Sequence, residues 1–566
     1  MPAPRPPGAL ATLRAKNITH SLGGQLVLDD VSVTVAPGAR VGIVGPNGSG
    51  KSTLLRIMAG LLQPDEGRVD VLPPTATVGY LAQEHERYDT LVVAQHLRQV
   101  TGVAAIDEGL RAAADDLGRG APGATDRYSE AVERWNRIGA ADFDARLVQV
   151  AETLGLEGPV LDLPTAALSG GQAARVAIAA ILLSRFDVTL LDEPTNDLDF
   201  AGLDLLEGFV ARSDQPMAIV SHDREFLDRT ITEVLELDEH SHGARAYRGG
   251  WSSYLVERAV GRRHAENAFA VHQDRRRVLN ERAQRERQWA TSGVARKKRR
   301  PADGDKVQRD FRTNRTEQLA SRARRTERAL ERLDPVEKPW EGWDLRFTIE
   351  EAPRSGSVVA RLDQAVVERG SFRLGPVDLE IGWGDRIWLS GRNGSGKTTL
   401  VLALLGRLPL SSGRRWIGPS VVVGELGQER SRWARDGSAT LLDAFLADTG
   451  LLVPDGRSLL AKFGLGAEQV CRPGSSLTPG ERTRAELARF QAVGVNFLVL
   501  DEPTNHLDLP AVEQLEAALD GYSGTLLVVS HDRRLLSKIG STTSFDVERL
   551  ALNPGEGPAG SRDSMT

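Results

Sequence analysis

The sequence predicts an α/β fold built twice, as two tandem domains with parallel-sheet cores joined by a basic helical segment. Three observations carry this. The same short motifs recur in the same order in both halves of the 566 residues, and the apolar runs between them read alternately as strand and helix. The stretch joining the halves also differs sharply in charge from everything around it.

The repeat is explicit. GPNGSGKST at 45–53 answers to GRNGSGKTT at 391–399, YLAQE at 80–84 to ELGQE at 425–429, and LSGGQ at 168–172 to LTPGE at 477–481. Each set continues with DEPTNDLD at 192–199 or DEPTNHLD at 501–508, then VSHDR at 220–224 or 529–533. Order and spacing together indicate a duplicated domain. RVGIVG at 40–45 and RIWLSG at 386–391 are short apolar runs ending on glycine and read as buried strands. STLLRIMAGLL and TTLVLALLGRL, which follow the glycine loops, read as helices. GQAARVAIAAILLSR reads as a helix opening at the paired glycines, and VTLLDE and FLVLDE read as strands ending in carboxylates.

Each glycine loop has the form GxxxxGK[ST], in which backbone N–H groups converge on phosphate oxygens and the next helix adds its positive end. The candidate nucleotide-binding residues are Gly45, Pro46, Asn47, Gly48, Ser49, Gly50, Lys51, Ser52 and Thr53 in the first loop. In the second they are Gly391, Arg392, Asn393, Gly394, Ser395, Gly396, Lys397, Thr398 and Thr399. The chain has nine lysines against 62 arginines, yet both loops keep lysine, the compact ammonium that phosphates need. Ser52 and Thr398 are candidate Mg²⁺ ligands together with Asp192 and Asp501 at the strand ends. Glu193 and Glu502, one residue further on, are candidate catalytic bases that orient or deprotonate the attacking water.

Composition bounds the rest. With 40% hydrophobic and 26% charged residues the chain reads as ordinary globular protein, and no apolar run approaches the ~18 residues of a membrane span. MPAPRPPGAL lacks the apolar core of a signal peptide, so a cytoplasmic location is expected. The sole cysteine, Cys471, excludes an internal disulfide and a cysteine-based zinc site. The net charge of −6 hides an asymmetry: residues 257–334 carry 23 Lys/Arg against 12 Asp/Glu, so the remainder is strongly acidic.

In this order the Walker A, Q-loop, LSGGQ, Walker B, D-loop and switch-histidine motifs resemble the ATP-binding cassette (ABC) ATPases over nearly the whole chain. The resemblance implies two tandem ABC ATPase domains of the P-loop NTPase type, each with a helical subdomain, that close head-to-tail on two ATPs within one monomer. Each ATP then lies between the Walker A of one cassette and the signature of the other. By this matching Gln83 and Gln428 are Q-loop residues that join the Mg²⁺ ligands, and His222 and His531 are switch histidines near the γ-phosphate. The signatures bring Ser169, Gly170, Gly171 and Gln172 to one site and Thr478, Gly480 and Glu481 to the other. Pro479 replaces a glycine there and removes a backbone donor, so the site pairing Lys51 with LTPGE is expected to be the poorer one. Leu22 and Phe372 are the residues nearest to where an aromatic often stacks on adenine.

EPTNHLD, and two cassettes without a membrane domain, resemble the ABC-F proteins, which implies a ribosomal partner. The spacing from Gln83 to Leu168 exceeds that from Gln428 to Leu477, which puts an arm-like insertion within about residues 84–164 of the first domain. The expected domains are a first cassette at 1–252, a basic helical linker at 253–338, a second cassette at 339–549 and a tail at 550–566. Within the linker, RRPADGD interrupts two helix-forming stretches and predicts a helical hairpin with its tip near 296–309. Arg296, Lys297, Lys298, Arg299 and Arg300 sit on that tip as the candidate RNA-binding cluster, facing 23S rRNA and the P-site tRNA as the resemblance implies. Arg-rich and Ala-rich composition resembles actinomycete members associated with resistance to ribosome-targeting antibiotics. A housekeeping ABC-F translation factor is the alternative, and the ATP-binding subunit of a drug exporter gives the basic linker no role.

Overall fold

A computed structural model describes residues 11–299 and 354–552 apart from 82–90, 157, 197, 240, 371, 428–432, 434–438, 506 and 541–542, with Arg328 besides. Gln83, Gln428 and Arg300, the side chains of Arg296, Lys297, Lys298 and Arg299, and the returning half of the expected linker hairpin lie outside the described residues.

Both cassettes belong to one compact unit. The first has a six-stranded sheet ordered, by residues, Val78–Leu81, Val188–Asp192, Met217–Val220, Arg40–Val44, Glu233–Leu237 and Ala244–Arg248, parallel except for the last pair. The second has a five-stranded parallel sheet in the matching order Val423–Leu426, Phe497–Asp501, Thr525–Val529, Arg386–Ser390 and Thr543–Asp546. VTLLD and FLVLD are buried at every residue, as an interior parallel strand covered on both faces requires. The strands of the phosphate loops lie two positions from them, so all the strand ends that carry motifs open on the same edge. A three-stranded antiparallel sheet flanks each core, formed by Gln25–Val35, Thr12–Leu22 and Glu66–Leu72 in the first cassette and by Phe372–Gly382, Val358–Arg369 and Ser412–Ile417 in the second.

Between edge strand and signature, both cassettes become helical. The first has helices Val93–Val100, Val103–Gly118, Ala124–Arg137 and Phe143–Thr153, where the second has Leu441–Thr449 and Val453–Lys462. The extra length is thus a packed pair of helices, Val103–Gly118 and Ala124–Arg137. Asp107 anchors the pair at its base, accepting from Trp135 Nε1 at 2.8 Å and from Arg98 Nη1 at 3.1 Å.

Residues 253–344 form a separate unit. Apart from Arg328, its described residues belong to one helix, Trp251–Arg299, of 49 residues. At 1.5 Å per residue that is roughly 70 Å, long enough to carry its terminal basic residues far along its own axis. Among the described residues no helix is long and apolar enough to cross a membrane.

The cassettes meet through ion pairs that start two residues beyond His222 and His531. Arg224 reaches Glu516, whose second oxygen accepts from Lys538 at 2.8 Å, and Glu516 is fully buried. In the corresponding place Arg533 bonds Asp204 at 2.6 Å and Glu207 at 3.3 Å, with its side chain 25% exposed. Stranding a buried charge costs about 3–5 kcal/mol, whereas a solvated pair is worth about 1 kcal/mol or less. Glu516→Ala should therefore lower the denaturation midpoint several times more than Asp204→Ala, whose side chain is 64% exposed; shifts of equal size would mean that the two latches are equivalent.

Candidate functional site

Each phosphate loop ends on a left-handed glycine, Gly50 at φ 92° and Gly396 at φ 100°, from which a helix starts at the lysine. Only glycine adopts that conformation without strain, and here it turns the loop back over the helix end. Lys51 Nζ donates to the carbonyls of Gly45 and Pro46 at 2.8 and 2.9 Å. Lys397 Nζ does the same to Gly391 and Arg392 at 2.8 and 3.2 Å. Burial lowers the pKa of both ammonium groups, and Glu193, Asp508 and Asp192, or Glu502, Asp199 and Asp501, oppose that shift. The hydroxyls of Ser49 and Ser395 are buried in the loops without a hydrogen-bond partner. A buried unpaired hydroxyl inside a ring of N–H donors fits a phosphate oxygen.

At the end of the strand two positions away Asp192 accepts from Ser52 Oγ at 3.1 Å, and Thr398 bonds Asp501 likewise. Burial raises both carboxyls, and the hydroxyl bonds pull the other way. Asp501 Oδ1 is buried with no partner. A hydroxyl and a carboxylate side by side, with one oxygen left over, is a donor set suited to Mg²⁺ beside a triphosphate.

Glu193 and Glu502 follow in left-handed backbone at φ 49° and 47°, unusual for a non-glycine residue. Their N–H groups are held by Val220 O at 2.9 Å and Val529 O at 2.8 Å, so the kink is fixed by the neighbouring strand. It turns each carboxylate out of the sheet toward the switch histidine. His222 Nε2 lies 3.0 Å from Glu193 Oε1, and His531 Nε2 lies 3.6 Å from Glu502 Oε1 and 3.3 Å from Lys397 Nζ. Burial pushes Glu193 up, but His222 and Lys51 together outweigh it and hold the carboxyl below its ordinary value. Burial, reinforced by Lys397, brings His531 down to about 4, so its imidazole is neutral at physiological pH.

The sites are completed across the interface. Asp199 Oδ2 accepts from Asn393 N at 3.3 Å, and Asp508 Oδ2 accepts from Asn47 N at 3.0 Å. A Cβ on Gly171 would stand 2.9 Å from that of Asn393, so only glycine lets the first signature approach the second phosphate loop this closely. Gly170, Gly171, Asn393, Gly394, Glu502 and His531 line a cavity of about 440 Å³. Each signature opens its helix with a capping box, Ser169 with Gln172 and Thr478 with Glu481. Thus Gln172 and Glu481 hold the helix end, and the first-turn donors left over are Gly170 and Gly171 in one signature but Gly480 alone in the other, because Pro479 has no N–H. Glu481 adds a carboxylate where Gln172 is neutral, with Arg472 3.5 Å away.

Three further differences favour the Lys397 site. A Cβ on Gly480 would meet nothing of the first cassette within 4 Å. Tyr80, which sequence reasoning passed over, donates to the second oxygen of Asp192 at 2.9 Å, whereas Glu425 stands at that position in the second cassette. The mismatch between YLAQE and ELGQE was its only signal. Phe372 packs against Gly396 and, with Arg369, lines a second cavity beside Lys397. Leu22 is 48% exposed at its strand end, and Val27 and Leu28 pack on Gly50. The first loop therefore has an aliphatic rather than an aromatic wall.

The ABC transporter family model matches residues 28–196 and 374–505. Over 93% of its length the chain is 36% identical to the tylosin resistance ATP-binding protein TlrC of Streptomyces fradiae, covering 95% of that protein. It is 33% identical over 92% of its length to the energy-dependent translational throttle protein EttA of Mycobacterium tuberculosis, covering 89% of it. The structure of an archaeal ribosome recycling factor, aABCE1, bound to the stalk protein aP1, shares the fold with a TM-score of 0.55 at 20% identity over 92% of this chain and 86% of that one. Two cassettes, composite sites and these relatives agree: the chain belongs to the ABC-F family of twin-cassette ATPases, enzymes that hydrolyse ATP to ADP and phosphate.

Proposed function

We propose that this protein is a cytoplasmic, ribosome-bound ATPase that remodels the tRNA and peptidyl-transferase region and protects it from a ribosome-targeting antibiotic. The observation that carries the reading is the RKKRR run, which begins in the last turn of a 49-residue helix belonging to a unit of its own. Such a cluster suits phosphate contacts that are strong, salt-dependent and independent of sequence. Likeness to a tylosin resistance protein supports antibiotic protection, and likeness to a translational throttle protein favours the second reading, a housekeeping translation factor.

In this reading Lys51 and Lys397 hold the β- and γ-phosphates, and the two loops cradle the rest of the triphosphate. Ser52 with Asp192, and Thr398 with Asp501, hold Mg²⁺, which supplies charge neutralisation on the phosphates when bound. Glu193 and Glu502 orient and deprotonate the water, and the neutral ring of His531 accepts a hydrogen bond in its site. Gly170 and Gly171 donate to the nucleotide at the Lys397 site; Gly480 alone does so at the Lys51 site.

The variant Glu193→Gln, Glu502→Gln keeps the size of both side chains and removes the base. It should bind ATP, sediment with ribosomes and block translation. Adding Arg296→Ala, Lys297→Ala, Arg299→Ala and Arg300→Ala should release it from ribosomes and flatten the salt dependence of binding. Cosedimentation unchanged by the four alanines would reduce the cluster to a solvated face, and turnover near wild type in the parent variant would remove both glutamates from the reaction. Susceptibility of cells expressing the wild type to a panel of ribosome-targeting drugs separates protection from housekeeping.

The two sites should also be unequal. One lost charge-assisted hydrogen bond to phosphate costs about 1.5–3 kcal/mol, and the hydroxyl of Thr478 only matches that of Ser169 at the other site. Measured singly at saturating ATP, Glu502→Gln should remove more of the total rate than Glu193→Gln. An equal or opposite loss would show that Pro479 and Glu481 are tolerated.

A further inference from the structure

We propose that Phe200, the residue after the D-loop aspartate of the first cassette, is a positioning residue for the switch histidine of the second. The proposal rests on the reading of the Lys397 site as hydrolytic and adds a control that only this site has.

Phe200 is the first residue of helix Phe200–Arg212, whose N-cap Asp199 holds Asn393 of the opposite phosphate loop. Its ring crosses the same interface and meets the His531 ring edge-on, with centroids 5.1 Å apart and planes at 72°. On another side it meets Trp388 at 5.9 Å and 85°. Trp388 in turn donates through Nε1 to Ser530 O at 3.3 Å, the carbonyl directly before His531. Arg533, two residues after the histidine, places its guanidinium 5.4 Å from the Phe200 centroid while bonding Asp204 and Glu207 of the first cassette.

The histidine needs such a support. Its Nδ1 is buried with no hydrogen-bond partner, so no acceptor on that side fixes the plane of the ring. The contacts at Nε2, to Lys397 and Glu502, lie inside the reaction centre. An edge-to-face aromatic contact fixes both distance and tilt, which a flexible aliphatic chain does not. Phe200 is supplied by the other cassette, so the imidazole is held in register with Glu502 only while the cassettes are closed. The Lys51 site lacks the arrangement, because Leu509 replaces Phe200 and Gly42 replaces Trp388 at the corresponding positions.

The test compares Phe200→Leu and Phe200→Tyr in the full chain. Leucine occupies the matching place in the second cassette, so the fold accommodates it at such a helix start. Phe200→Leu should lower kcat by about three- to ten-fold, the loss of one aromatic contact in the transition state. KM for ATP should stay within about two-fold, and Phe200→Tyr should keep most of the rate. Combined with Glu193→Gln the loss should appear in full; combined with Glu502→Gln it should vanish. An unchanged kcat, a higher KM with kcat intact, or a loss of the same size in the Glu502→Gln background would overturn the proposal. Failure of Glu502→Gln itself to slow the enzyme would instead overturn the reading of the site on which the proposal stands.

Discussion

Two aspartates at the cassette interface each hold both halves of the molecule. Asp199 uses one oxygen to cap helix Phe200–Arg212 through Gly202 N at 3.0 Å and the other to accept from Asn393 N. Asp508 caps Leu509–Asp520 through Ala511 N at 3.1 Å and accepts from Asn47 N. One carboxylate thus fixes a helix start in its own cassette and a phosphate loop in the other, with the stronger bonds that an ionised acceptor makes. Shifting one cassette therefore disturbs the nucleotide loop and the helix end together. The constraint requires two cassettes in contact, because the carboxylate of one orders the loop of the other.

Burial then sets the chemistry. The lysines, the strand-end carboxyls and the histidines lie within a few ångströms of one another in a region with little water, where charges interact strongly. Burial works against the charged form of the two lysines, and neighbouring groups of opposite sign oppose it, as with Lys51 between Glu193 and Asp192. A triphosphate brings negative charge into this cluster next to the buried ammonium groups and the unpaired serine hydroxyls. The two sites share this plan but differ in execution. In the first cassette Tyr80 occupies an oxygen of Asp192 and the facing signature lacks one donor, while in the second Asp501 keeps an oxygen without a partner and faces both glycines.

Much of this is legible in the sequence, because phosphate binding demands particular residue types at close spacing. Left-handed glycines, a lysine at the helix start and a carboxylate at a strand end leave local patterns, and the repeat doubles each signal. What escapes is what depends on docking. Arg224 and Glu516, or Phe200 and His531, are hundreds of residues apart and meet only when the cassettes close. The wall of the first loop is hidden for another reason. The strand Thr12–Leu22 shifts register against Gln25–Val35 near Ile18 and His20, so counting along the chain cannot say which side chain of the hairpin faces Gly50.

If each site is made by both cassettes, substitutions on opposite sides of one site must be epistatic. Ser169→Arg puts a bulky cation into the first signature, which in this structure faces Lys397 and Glu502 rather than Lys51 and Glu193. Steady-state ATPase rates of this variant alone and combined with each glutamine substitution separate the possibilities. Ser169→Arg should add nothing to Glu502→Gln and abolish the activity left by Glu193→Gln. The opposite pattern, additivity with Glu502→Gln and none with Glu193→Gln, would mean that each cassette completes its own site.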